Sequence, residues 1–306
     1  MQTAYINALY ELMGKDARVC SLLSDSGTEY DEMLMREFPN QCYNFGIAEQ
    51  GKVAAAAGMA SCGKIPFVYT SGAFLAYRAY EFIRDDVCFQ RKNVKIIGMG
   101  SGLSWSTLGP SHHTTEDFSV LRSLPHMTVF SPASPYEVRQ CVNAAYQLDG
   151  PVYVRLGMSR EKEIYESPDY AFVPGKNIQI AQGKDAAVLC TGSIIEEVLK
   201  ASEYLLPEGI SARIINVHTI KPFDQGHIRE IAGDFKHLFT VEEHNVTGGL
   251  GTAVCEALAG LGAAVKLTRI GLDDCFAQGY GTHAQVLEKN GLDGKSIADK
   301  IMRAMR

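Results

Sequence analysis

Short apolar runs alternate with amphipathic or alanine-rich segments from one end of the chain to the other. Near-continuous apolar runs predict strands over 18–25, 65–71, 94–100, 127–132 and 151–156. The stretches between them predict helices over 48–61, 74–90, 116–124 and 135–148. The last of these opens on Ser134, Pro135 and Glu137, a capping box with proline at the first helical position. Strands that are apolar throughout, rather than alternating, imply parallel strands buried on both faces, hence a doubly wound α/β domain. A charged, proline-bearing stretch then interrupts the rhythm, with Arg160-Glu161-Lys162-Glu163, Pro168 and Pro174-Gly175-Lys176. It reads as a connection. Beyond it a second unit begins, with strands over 186–191, 213–217, 238–242 and 266–271. Helices are expected from a Ser193/Glu196 capping box and over 247–261, 284–289 and 296–303. The expectation is two α/β domains, 1–160 and 183–306, joined by a linker over 161–182, the second a smaller domain of about five strands. No internal repeat or low-complexity segment is visible.

Composition agrees with this picture and narrows the class. The 306 residues are about twice a typical domain, with 46% hydrophobic residues and a net charge of −6. Disorder is excluded by the apolar content, and the acidic balance argues against an electrostatic nucleic-acid binder. No run approaches the roughly 18 uninterrupted apolar residues of a membrane span, and the first residues show no leader pattern, so a cytoplasmic protein is expected. The eight cysteines are dispersed, without a C-x-x-C pair, and read as reduced core residues rather than metal ligands.

Four segments could carry chemistry. Asn44-Phe45-Gly46-Ile47-Ala48-Glu49-Gln50-Gly51 leads a glycine-bounded loop into an alanine-rich helix with one carboxylate in its first turn. On physics alone such a glutamate is ordinary helix-dipole decoration. In Ser71-Gly72-Ala73-Phe74-Leu75-Ala76-Tyr77-Arg78-Ala79-Tyr80, three aromatics recur every three residues and predict one ridge on a helix, usually a core stripe. The stretch from Gly102 through Trp105, Leu108-Gly109-Pro110-Ser111 and His112-His113 to Asp117 is a long loop after a strand, where ligands meet α/β sheets. Asp25, ending the first strand before Ser26-Gly27-Thr28, would by itself be a turn residue.

Taken together, these segments closely resemble the thiamine-diphosphate-dependent transketolase family over essentially the whole chain. The resemblance implies that Glu49 activates the cofactor through its aminopyrimidine ring, which requires a buried carboxyl group. It places Phe74, Tyr77 and Tyr80 against that ring, and Asp25 near the cofactor. His112 falls on the histidine that handles substrate oxygens, with His113, Ser26 and Arg155 as further substrate-binding candidates. The His-His-Thr-Thr-Glu-Asp run resembles a subgroup in which the enzyme is divided between two chains. In the second domain, 217–224 and 241–251 resemble the family's C-terminal domain. Glycines there could expose a helix N-terminus to an anion, although packing and a subunit interface suit them better.

The chain lacks the Gly-Asp-Gly that binds the diphosphate and its magnesium; Gly233-Asp234-Phe235 has no final glycine. The Mg2+ ligands are therefore expected from an N-terminal partner subunit, in an α2β2 heterotetramer, with no metal site on this chain. Three departures concern the substrate. Leu108 stands where many transketolases have an aspartate, Gly98-Met99-Gly100 where sugar-phosphate enzymes have a histidine, and Met158 where arginine is common. A phosphate tail needs positive charge or strong donors, so an unusual ketose such as a sulfosugar is one expectation. The implied reaction is transfer of a two-carbon ketol unit from a ketose to an aldose. The alternatives are a 2-oxo acid dehydrogenase β-type subunit, disfavoured by the Gly-Pro-Ser-His-His loop, and a non-catalytic scaffold, disfavoured by Glu49 with the aromatics.

Overall fold

The computed structural model describes every residue except 26–27, 158–162, 166–169, 171 and 263–264. Ser26, Met158 and Arg160 therefore lie outside the described residues. The first sheet is built from β1 (Val19–Leu23), β2 (Cys42–Asn44), β3 (Ile65–Ser71), β4 (Lys95–Met99), β5 (Thr128–Phe130) and β6 (Val152–Leu156). The second contains β7 (Ile178–Ala181), β8 (Ala186–Thr191), β9 (Ala212–Asn216), β11 (His237–Asn245) and β12 (Lys266–Leu272), while β10 (Thr219–Lys221) returns to the first. The order across the seven-stranded sheet is β10-β5-β6-β4-β3-β1-β2, and across the five-stranded sheet β12-β11-β8-β9-β7. All neighbours are parallel except β10 against β5 and β7 against β9.

Alternate residues of each strand feed opposite layers. Val19, Leu23, Phe67, Tyr69, Ile97 and Val154 face a core under the Gln2–Lys15 and Pro135–Gln147 helices. Cys20, Leu22, Val68, Ile96 and Tyr153 face the other side, under the Glu49–Ser61 helix. That second core does not stop at the domain edge. It includes Ala187, Leu189, Ile215, Val217 and Ile228 of the second half, so one apolar layer is shared by both sheets. The outer face of the second sheet has its own cluster under the Ile195–Leu205 and Gly294–Met305 helices. Among the described residues no helix is long and apolar enough to cross a membrane.

Several expectations change. β7, inside the stretch expected to be linker, is an edge strand with one polar position among its partly buried residues. It is short and half-wetted, and so lacks an apolar run. The helix after Ser193 has no side-chain cap; it grows from a 3₁₀ turn over Gly192–Ile194, and Ser193 Oγ donates to Glu243 Oε2 at 3.4 Å. The segment over 74–90 is not one regular helix either. It consists of two π-helical stretches, Phe74–Arg78 and Ile83–Phe89, around a short α-helical turn.

Candidate active site

The carboxyl ends of β1, β3 and β4 gather the segments that were far apart in sequence. Asn44, at the end of β2, organises the first of them. Its Oδ1 accepts the amides of Asp25 at 3.1 Å and Gly46 at 2.8 Å, and its Nδ2 donates to Asp25 Oδ1 at 3.2 Å. Asp25 is exposed and sits at φ +51°, a left-handed conformation that aspartate tolerates better than most residues. The same loop delivers Glu49 as the first residue of its helix, where the side chain is 1% exposed. A glutamate at this helix position is usually solvated; this one is buried and accepts from Arg78 Nη1 at 2.8 Å.

One turn further, Lys52 is fully buried and donates to Ser24 Oγ and, at 3.0 Å, to Tyr69 O. It ties the ends of β1 and β3 to the Glu49 helix. Burial lowers its pKa to about 7, opposed by the nearby charges of Glu49 and Asp31. Sequence reasoning assigns Lys52 no role, although a lysine leading into Val-Ala-Ala-Ala-Ala is a visible oddity.

The π-helical turn Phe74–Arg78 separates the three aromatics that regular helical spacing would align. π turns hydrogen-bond at i→i+5, so residues three apart no longer stack on one face. Phe74 meets His112 edge-on, with ring centroids 5.0 Å apart. The Arg78 guanidinium lies 4.7 Å from the Phe74 centroid. Tyr77 Oη donates to Glu116 Oε2 at 2.7 Å and accepts the Glu116 amide at 3.0 Å. Burial, with the Glu116 and Asp117 carboxylates, pushes the Tyr77 phenol far up, so it stays protonated. Tyr80 instead packs against the core beneath the sheet. A single ridge is thus replaced by two site-facing aromatics and one backing residue.

The loop after β4 supplies the histidines. His112 is half-buried, its Nδ1 3.0 Å from Ser111 Oγ and its ring 6.2 Å from that of Trp105. His113 is buried, and neither of its ring nitrogens has a hydrogen-bond partner among the described residues. Burial lowers its pKa, against the pull of Glu243, so the neutral imidazole prevails. The glycines at the end of β4 have a physical reason. A Cβ on Gly98 would come within 2.5 Å of Tyr153 Oη, and one on Gly100, at φ +73°, within 2.0 Å of Trp105 Nε1. A histidine at that strand end would have to displace one of these rings.

Arg155 does not join the cluster. It is buried, with Nε on Asp117 Oδ2 at 2.9 Å and Nη2 on the carbonyls of Thr114 at 2.9 Å and Glu243 at 3.0 Å. Its guanidinium also covers Phe118, 4.4 Å from the centroid. It is a strut in the joint between the two sheets, and the expectation of substrate contact is corrected accordingly. Around it, Tyr153 Oη donates to the same Asp117 oxygen at 2.8 Å, and Glu243 Oε1 meets His283 Nε2 at 2.7 Å. The amides that open the helix Leu250–Leu258 of the second half are already taken by a buried carboxyl group, whose pKa burial raises to about 7. Glu242 accepts the amides of Leu250 at 2.7 Å and Gly251 at 2.8 Å.

A cleft of about 670 Å3 opens between the halves, lined among others by Tyr77, Ser111, His113, Glu116, Asn245 and Phe276. The structure thus brings Glu49, Phe74, Tyr77, His112, His113 and Asp25 to the carboxyl ends of the first sheet's strands, leaves Tyr80 behind them, and removes Arg155. Buried carboxyl, aromatic faces and a half-buried imidazole suit the aminopyrimidine end of a cofactor. Among the described residues no group of three His, Cys, Asp or Glu side chains could hold a metal ion.

Comparison with known proteins finds two family models, one after the other along the chain. Residues 1–161 match the family model described as the transketolase pyrimidine binding domain, and residues 175–297 the transketolase C-terminal domain. The chain is 37% identical to an apulose-4-phosphate transketolase subunit of Actinobacillus succinogenes, covering 87% of this chain and 85% of that protein. It is 34% identical to the 6-deoxy-6-sulfo-D-fructose transketolase subunit of a Clostridium species, over 97% of this chain and 92% of the relative. Among solved structures, it superimposes on a split-gene transketolase, described as an inactive β4 tetramer, with a TM-score of 0.90 and 36% identity. That match covers 99% of this chain and 97% of the other.

Proposed function

The chain belongs to the transketolase family, and from that premise we propose that it is the pyrimidine-binding, C-terminal subunit of a two-chain transketolase. It works in the cytoplasm with an N-terminal subunit, in an α2β2 assembly, moving a two-carbon ketol unit from a ketose to an aldose. The single observation that carries the reading is Glu49, a carboxyl group 1% exposed at a helix start, in contact with Arg78, which stacks on Phe74. Thiamine diphosphate, when bound, supplies the electron sink for breaking and making the bond beside a ketose carbonyl. Glu49 holds a proton at the edge of the aminopyrimidine, Phe74 and Tyr77 fix the ring's plane, and Tyr80 backs them from the core. Asp25 borders the pocket, and Ser26 contacts substrate on the strength of the sequence resemblance alone. His112, oriented by Ser111, moves protons at substrate oxygens, and His113 offers a neutral nitrogen to a substrate hydroxyl. The Mg2+ and diphosphate ligands come from the partner subunit.

The donor tail is the finer part of the proposal. Leu108 is exposed, the end of β4 is filled by Tyr153 and Trp105, and Arg155 is spent on the joint. These observations favour a monoanionic or neutral tail, such as a sulfosugar, over a phosphate dianion. Of the two relatives compared, the sulfofructose-acting one fits this choice and the apulose-4-phosphate one fits a phosphorylated donor, so the choice rests on the residues of this chain. The test is reconstitution with the N-terminal subunit, thiamine diphosphate and Mg2+, followed by a panel of sulfonated and phosphorylated ketoses. Two-carbon transfer that disappears in Glu49→Gln is the expected result, with the sulfonated donor preferred. Transfer that survives the substitution, or robust activity of this chain alone, refutes the proposal; preference for a phosphorylated donor refutes only the tail.

A further inference from the structure

Arg78 makes two contacts that the cofactor-pocket reading reserves for the ligand. Its Nη1 donates to Glu49 Oε2 at 2.8 Å, and its guanidinium covers the face of Phe74 at 4.7 Å. A guanidinium is flat, carries N–H donors along its edge and stacks on aromatic rings. An aminopyrimidine is also flat, with an amino donor on its edge. The side chain of Arg78 is 44% exposed, whereas Glu49 beneath it is 1% exposed, so the arginine lies over the carboxylate on the solvent side. Arg78 ends the π-helical turn, and Ala79 leaves helical geometry at φ −98°, ψ 13°. π turns of this kind concentrate at functional sites.

We propose that Arg78 is a built-in occupant of the ring pocket, an autoinhibitory latch that pairs with Glu49 and stacks on Phe74 until the cofactor ring displaces it. The inference rests on the assignment of Glu49 and Phe74 to the ring. With the latch closed, the activating carboxylate is neutralised and one of its oxygens is taken. Binding must break an ion pair whose carboxylate is buried, and the apparent affinity is reduced by the fraction of molecules in the closed form. The latch also removes the liability of a buried, unpaired carboxylate in the free subunit.

The test compares wild type, Arg78→Met and Arg78→Lys, each reconstituted with the N-terminal subunit, by calorimetric titration of thiamine diphosphate at fixed Mg2+. Methionine keeps apolar contact with Phe74 but releases Glu49, and the expected result is binding tightened by about fivefold. Lysine keeps the charge but cannot cover carboxylate and ring at once, so an intermediate tightening is expected; it also decides the question should the methionine variant fail to fold. A lower melting temperature of the free Arg78→Met chain is the second expected reading. Unchanged or weaker cofactor binding in the folded variants overturns the latch and makes Arg78 a ligand contact. Glu49→Gln placed in the Arg78→Met background, where no latch is left to release, tests the assignment beneath it: cofactor affinity equal to that of Arg78→Met alone would overturn the role of Glu49 itself.

Discussion

At the scale of single residues, the site depends on side chains whose burial contradicts their type. Lys52 is the clearest case. Its folded pKa, about 7 through burial, lies below the ordinary lysine value, so the native state holds fewer protons than the unfolded state from about pH 7 upward. Stability linked to this group is therefore fully present above the unfolded pKa and is lost as pH falls toward 7. Lys52→Met removes that dependence: the melting-temperature difference, variant minus wild type, should shrink as pH rises from 7 to 10. A difference constant with pH would contradict the assignment. Lys95, also pushed down to about 7 by burial, is common to both proteins and cancels. Gly100→Ala is a second test at this scale. The new Cβ would meet Trp105 Nε1 at φ +73°, so a loss of about 1–3 kcal/mol in urea melts is expected. A shifted emission of Trp105, the chain's single tryptophan, should accompany it. The burial of Lys52 could not be read from the sequence, where it is one more charged residue on a helix, and that of Glu49 was expected only through the family resemblance.

Elements were more legible than residues. The apolar runs marked β1, β3, β4, β5, β6 and β8 because strands covered on both faces need no polar positions. The helix Gln2–Lys15, the helix Glu29–Glu37 and the short strands β2 and β10 escaped notice. Three-residue strands carry too little periodicity to register. The π-helical geometry over Phe74–Arg78 was equally invisible, since the sequence has the ordinary spacing of an α-helix. Ser134 caps the helix, accepting the Glu137 amide at 3.3 Å, but the expected box does not close, since the Glu137 side chain accepts the Ala133 amide at 2.7 Å instead. The same carboxylate receives Tyr170 Oη at 2.8 Å and Asn216 Nδ2 at 2.8 Å, as well as the Tyr165 hydroxyl, and so fastens the connecting segment to both halves. Helix starts of this kind predict local effects. Glu242→Gln leaves the amides of Leu250 and Gly251 with a weaker acceptor, and hydrogen exchange there should accelerate, with a loss of about 1–3 kcal/mol.

For the whole molecule, the decisive feature is the joint. One apolar layer runs from Val68 to Ile215, β10 pairs with β5, and Arg155 ties Asp117 to Glu243. The two halves should consequently melt in one calorimetric transition, and two separated transitions would contradict the shared core. Arg155→Met strands the buried carboxylate of Asp117 and is expected to cost about 3–5 kcal/mol without changing the donor preference. What the sequence alone determined is the alternation of strands and helices, the family, and the neighbourhoods of Glu49, Phe74, Tyr77 and His112. These reside in local patterns and contiguous motifs, which chain order preserves. Tertiary structure alone decided that Arg155 is a strut, that Tyr80 backs the pocket, and that Arg78 covers Glu49. Each of those facts depends on side chains remote in sequence sharing one low-dielectric space, where burial and pairing set the role of a charge, and no local pattern encodes that proximity.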